Sequence, residues 1–219
     1  MTDMTTRTET GVATTSLSPW GQVERMAKQE GASLILFKKG DWLCGDAEVG
    51  EKEYRTEPTE IYYGWQHWRD STPGPTQMVR IDQLAQCPRR DDLGDLDESK
   101  WESAPDGESR DPWVRTVRMG LVDLETDELY FFTSSSHGGR GAVNDFCAAF
   151  DRGRHQFTNQ VPIVTLDTES YKHKKFGKVV KPKFTVSRWV TRDGSAPKPI
   201  DPGKQIADEL NDELPAFTI

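Results

Sequence analysis

The chain is short of cysteine, histidine and long apolar runs. Three Cys (44, 87 and 147) stand among 219 residues, too few and too scattered for a disulfide framework, and a reducing cytoplasm is the expected setting. Four His occur with no CxxC or HExxH pairing, so neither a metal nor another cofactor is expected. No apolar segment approaches the roughly 18–20 residues of a membrane-crossing helix. The Thr-rich opening has no apolar centre, so a secretory leader is not expected either. Gly-rich residues 138–141 are not followed by Gly-Lys-Ser/Thr, and adjacent Ser136 and His137 diverge on a strand, so no enzyme is expected.

Charge, in contrast, is plentiful at 29% of residues, with a net of −8 that argues against a polyanionic partner. The average conceals a partition. Residues 1–110 carry 13 basic and 21 acidic side chains, residues 111–192 carry 13 and 9, and residues 193–219 carry 2 and 6. Between Tyr171 and Arg192 there are eight basic residues and no acid. A basic segment flanked by acidic ones is the pattern to explain.

Residues 1–17 read as disordered, and Ser18-Pro19 as the start of a short helix carrying Trp20, Val23 and Ala27. Ser33 to Cys44 reads as strand, turn, strand about Lys39-Gly40-Asp41, and Gly45 to Thr59 as an acidic loop. Glu60 to Arg69 is rich in β-formers, with Tyr63, Trp65, His67 and Arg69 on one face and Tyr62 and Trp68 on the other. Gln77 to Asp82 is a weaker strand, and residues 87–111 form an acidic excursion with Trp101 as its anchor. Trp113 to Val122 and Leu129 to Ser134 predict a hairpin. A loop, Ser134 to Gly141, then leads into a helix over Ala142 to Arg152, with Val143, Phe146, Cys147 and Phe150 as its apolar stripe. Val161 to Leu166 and Lys178 to Val190 are the last strands, joined by the segment from Asp167 to Gly177. The order suits a small β-barrel with one principal helix over residues 18–191. A linker (192–207) and an acidic tail (208–219) follow.

If Lys181 to Val190 alternates, Phe184, Val186 and Val190 face the core, while Lys181, Lys183, Thr185, Ser187 and Trp189 face outward. Cations beside aromatic rings on an open β face suit single-stranded nucleic acid, because lysines neutralise phosphates and rings stack on unpaired bases. The residues assigned to that face are Tyr171, Lys172, Lys174, Lys175, Lys178, Lys181, Lys183 and Trp189, with Arg118, Arg140 and Trp65 or Trp68 in support. Arg140 is a candidate phosphate contact at a helix start. The competing reading is a solvated hairpin whose lysines guard a sheet edge.

The tail holds Asp208, Glu209, Asp212 and Glu213 ahead of Phe217, an anionic peptide with an aromatic anchor. The layout resembles phage and prophage single-stranded DNA-binding proteins, in which an OB-fold core precedes a linker and an acidic, Phe-tipped tail. Asp212-Glu213-Leu214-Pro215-Ala216-Phe217 resembles that tip, with Ala216 inserted and Thr218-Ile219 following. RDPW (110–113), SSSHGGRGA (134–142) and SYKHKKFGK (170–178) resemble segments of phage proteins of the same layout. The resemblance implies an OB-like barrel that binds single-stranded DNA during phage replication or recombination. It also implies a tail that docks on replication or recombination proteins or competes for the chain's own groove. A homodimer is left open. The rivals are an acidic adaptor or inhibitor of a host nucleic-acid-binding protein, and a metal-dependent nuclease built on Asp91, Asp92, Asp95 and Asp97.

Overall fold

The computed structural model describes residues 33–192, apart from 51, 104–106, 108, 175 and 176. The helix expected after Ser18-Pro19, the segment 1–17, the linker from residue 193 onward and the acidic tail lie outside the described residues, as do Lys175 and Phe176.

The chain is mainly β. The strands are β1 (Ser33–Lys38), β2 (Asp41–Cys44), β3 (Ala47–Glu48), β4 (Glu53–Arg69), β5 (Thr72–Arg80), β6 (Glu102–Ser103), β7 (Ser109–Arg110), β8 (Trp113–Asp123), β9 (Leu129–Ser134), β10 (Gln160–His173) and β11 (Gly177–Thr191). One α-helix, α1 (His137–Gly153), lies between β9 and β10, and three short 3₁₀ turns (Ile81–Gln86, Arg90–Leu93 and Glu98–Lys100) lie between β5 and β6. The main sheet runs β11-β10-β4-β8-β9-β1-β2-β3, with β5 alongside β4, and β6 and β7 pair as a separate two-stranded ribbon. Taking β4, β8, β9, β10 and β11 as the five core strands, their order is five-four-one-two-three with the helix after the third, which is the OB-like arrangement.

In a closed barrel of this order the third and fifth strands would pair. Here β1 takes the place beside β9, in parallel register from Ser33↔Tyr130 to Ile35↔Phe132. The sheet curls until the β1–β2 hairpin meets β10 and β11 through side chains. Trp42 donates its Nε1–H to the Asp167 carbonyl at 3.0 Å, and its ring lies 5.4 Å from Phe184 and 5.3 Å from Phe132. Inside the curl, Ile35, Tyr54, Ile61, Val117, Met119, Leu121 and Phe132 pack with Ala142, Val143 and Phe146 of α1. Val117, Met119 and Leu121 of β8 thus point into the curl, and the apolar stripe on α1 is the face that meets them.

Three expectations change. The acidic segment after Gly45 is not a loop, because β3 lies within it and β4 already begins at Glu53. β4 reaches 17 residues across an irregularity: Tyr54 to Glu57 pair with β8, the register shifts, and pairing with the same strand resumes at Ile61↔Met119. Pro58 sits in that break, where its missing N–H costs no ladder bond. The helix starts at His137, not Ala142, with Ser136 as its cap accepting from Gly139 N at 3.0 Å. Gly138 and Gly139 are thus helical residues that allow close approach. A Cβ on Gly139 would fall 2.0 Å from Ser134 Oγ, and one on Gly138 would fall 3.0 Å from Lys181 Cβ. Finally, residues 167–173 are strand, since β10 pairs with β11 all the way to His173↔Gly177.

Candidate functional site

Extending that ladder carries the basic residues out on a hairpin. Going outward, Asp167 is opposite Lys183, Glu169 opposite Lys181, Tyr171 opposite Val179, and Lys172 opposite Lys178. The base of the hairpin sets acid against base, and Lys181 Nζ lies 3.6 Å from Glu169 and 3.7 Å from Asp145 of α1. Its tip does the reverse: two lysines face each other, and Lys174 follows in the turn. Lys172, Lys174 and Lys178 are all exposed and have no ion-pair partner among the described residues. Like charges directly opposite in a ladder are destabilising, so the arrangement favours an anion that relieves them. Lys183 and Tyr171 are also exposed, and Tyr171 meets His173 edge-on at 6.4 Å.

Trp189 is not on the lysine face, contrary to the strict alternation. Ile163 pairs with Arg188 but Val164 pairs with Val186, leaving Ser187 as an extra residue. A one-residue bulge reverses every side chain beyond it. Trp189 consequently stacks on Phe157 at 5.0 Å and Phe150 at 5.7 Å, over Gly153, where a Cβ would come within 2.2 Å of the ring. Val190 moves the other way, joining Val161 and Ile163 in a second cluster. Ser187 Oγ donates to Glu53 Oε1 at 2.9 Å, and Arg188 bonds both Glu53 oxygens. The Arg188 bond holds the Glu53 carboxyl below its ordinary range.

Two further residues assigned to the binding face are occupied elsewhere. Trp65 is 8% exposed, donates to the Pro88 carbonyl at 2.9 Å and has Arg115 Cζ 4.0 Å from its ring centroid, so no face is open to a base. Arg118 is half-buried with its Cζ 3.6 Å from the centre of Phe131, and burial pulls its pKa down. It is a cation of the packed sheet.

Arg140 projects from the first turns of α1 into an open groove of about 430 Å³, lined also by Tyr63, Arg115, Thr116, His137 and Asn144, with no carboxylate among its described lining. Arg140 Nη1 donates to the Arg115 carbonyl at 3.3 Å, and Tyr63 Oη bonds Asn144. Burial raises the Tyr63 phenol to about 12, so it stays protonated as a donor. Gly138 of the same helix lies against Lys181, so the groove adjoins the basic hairpin. Arg115 was not legible as a site residue, because in sequence it is only one polar position of an alternating strand.

The acidic excursion is a built structure. Arg90 Nε bonds Asp111 at 2.6 Å and its other nitrogens bond the carbonyls of Gly94 and Asp95. Trp101 donates to the Asp95 carbonyl at 2.7 Å. Folded back on the ends of β4 and β8, the excursion forms a cleft of about 620 Å³ that includes Trp68. The four aspartates do not converge: Asp92 accepts from the Arg89 amide, Asp95 meets His67 Nε2 at 3.3 Å, and Asp97 binds Lys100 at 2.9 Å. Among the described residues no group of three or more His, Cys, Asp or Glu is placed to hold a metal, and no helix is long and apolar enough to cross a membrane.

In an OB-like barrel the loops after the first and fourth core strands and the faces of the second and third are the places that oligonucleotides use. Here those loops are the excursion over its cleft and the lysine-tipped end of the β10–β11 hairpin. Comparison of the chain with protein-family models, with curated proteins and with solved structures gives no match.

Proposed function

We propose that this chain binds single-stranded DNA, with the end of the β10–β11 hairpin as its main phosphate contact. The observation that carries the reading is the facing pair Lys172 and Lys178 with Lys174 beside them, exposed, without an acidic partner among the described residues and located at the loop after the fourth core strand. Lys183 adds an exposed amine nearer the base of the hairpin. From the hairpin the strand would pass the start of α1, where Arg140, Arg115 and the helix N-terminus offer donors to a phosphate. Tyr171 is the exposed ring on the hairpin available for stacking. The setting in phage replication or recombination rests on the likeness of the quoted segments.

The acidic-adaptor reading is weakened by the excursion's own bonding, since Asp92, Asp95 and Asp97, although exposed, and half-buried Asp111 already have partners within the fold. A titration of fluorescent oligo-dT tests the proposal. Binding should weaken with salt, at a slope of about −0.7 per phosphate contact. Replacing Lys172, Lys174 and Lys178 together by Ala should reduce that slope by about 2. No binding at low salt would refute the reading, and Mg²⁺-dependent cleavage would point to the nuclease instead.

A further inference from the structure

The cleft beneath the excursion is not explained by phosphate binding, and its chemistry differs from that of the hairpin. Its floor is His67, half of an edge-on pair with Trp113 at 5.0 Å, together with Pro112 and Val114. Its walls carry two indoles, Trp68 and Trp101, and the 54% exposed Leu96. The carboxylates around it are already engaged. Asp95 meets His67, Asp97 holds Lys100, Asp111 holds Arg90, and Glu102 Oε1 accepts from the Asp70 amide at 2.7 Å. Arg69 and Arg110, both exposed at the same cleft, make no ion pair among the described residues. Among the described residues, with Arg90 counted, four Lys and Arg side chains offset four carboxylates, so this described lining is close to neutral. A near-neutral, aromatic-walled cleft with two free guanidiniums suits a planar base with a phosphate beside it, not a run of phosphates. Its volume of about 620 Å³ lies within the range of clefts that enclose small planar ligands.

We propose that this cleft receives one unpaired base of the bound strand, against Trp68 and Trp101, with an adjoining phosphate at Arg69 or Arg110. The proposal rests on the single-stranded DNA reading and adds to it a base-dependent contact at the opposite loop from the lysine hairpin. Most phosphate contact would come from the hairpin, where Tyr171 offers an open ring, and the enclosed base contact from the excursion.

The test fills the cleft without removing a bond. Leu96→Trp adds bulk at a residue with no role in the core, and circular dichroism with a urea midpoint checks that the chain still folds. Two fluorescent 15-mers are compared on the full chain, one of cytidines and one of abasic spacers with the same number of phosphates. For the unsubstituted chain the cytidine oligomer should bind about tenfold tighter than the abasic one. Leu96→Trp should remove most of that advantage and leave the abasic affinity unchanged. Equal losses for both oligomers, or no loss for either, would overturn the cleft proposal while leaving the hairpin reading in place. Failure of the unsubstituted chain to bind either oligomer would remove both. A synthetic peptide of residues 208–219 is the control for another occupant. If it binds the unsubstituted chain but not Leu96→Trp, and the oligomers ignore the substitution, the cleft belongs to an acidic peptide and the base proposal fails.

Discussion

Gly64 occupies the one place in β4 where a side chain has nowhere to go. A Cβ there would fall 2.0 Å from the Gln77 carbonyl oxygen and 2.7 Å from Met78 Cα, both backbone atoms of β5. Gly64→Ala should therefore push β5 off β4 and destabilise the chain by about 2 kcal/mol, read as a lower urea midpoint. A glycine inside an otherwise aromatic strand is the sequence signal for such an approach, although it does not say which backbone arrives. The tryptophans separate in the same way. Trp65 and Trp189 are covered by their own neighbours, while Trp68 borders a cleft. Trp65→Phe should leave oligo-dT affinity within about twofold, measured under the salt conditions used for the unsubstituted chain. A large loss without loss of folding would return Trp65 to the binding face.

Among elements, the β10–β11 hairpin shows both what alternation reveals and where it stops. Phe184 buried and Lys183 exposed follow directly from period two. Trp189 does not, because Ser187 is an inserted residue, and a bulge leaves no mark in the order of polar and apolar residues. Pairing also resolves the basic segment into two parts that composition could not distinguish. Lys181 answers Glu169 and Asp145, whereas Lys172, Lys174 and Lys178 answer no acid among the described residues. Lys181→Ala should accordingly change the salt slope of DNA binding by well under the change at Lys172, Lys174 and Lys178, and should show mainly in stability, at about 0.5 kcal/mol for a partly exposed pair. A slope change equal to that of Lys178→Ala would mean that Lys181 leaves its acids for phosphate. The excursion was legible as a long acidic segment with a tryptophan anchor. The cleft it makes was not, because it depends on Arg90 reaching Asp111, a contact 21 residues apart.

At the scale of the whole chain, the mainly β order with one helix before the last two strands was legible from turn residues and periodicity. The parallel placement of β1 against β9 was not, since nothing local specifies a pairing between segments so far apart in sequence. Two carboxylates held at the sheet, Asp123 and Glu53, give the fold an expected acid sensitivity. Burial alone would raise the Asp123 pKa, but the amides of Glu125 and Thr126 together with Lys52 outweigh it and hold the group below its ordinary value. Glu53, bonded by Arg188, is shifted the same way. A carboxyl whose folded pKa is depressed contributes stability above its unfolded pKa of about 4 and loses it as pH falls through the folded value. Urea midpoints should therefore be flat with respect to these groups from pH 5 upward and fall below about pH 4. Asp123→Asn should lower the neutral-pH midpoint and shrink that acid limb, and an unchanged limb would show that other groups set it.

The seam between β11 and the β1–β2 hairpin has a mechanical consequence. Every other junction in the sheet is a ladder of backbone hydrogen bonds, which resists sliding because many bonds must break together. This seam is held by an indole wedged among Phe132, Phe184 and the Asp167 carbonyl, so under load it would peel at one point while the ladders beside it held. Tension transmitted through β11, the strand that carries half of the basic hairpin, would thus be released first at Trp42.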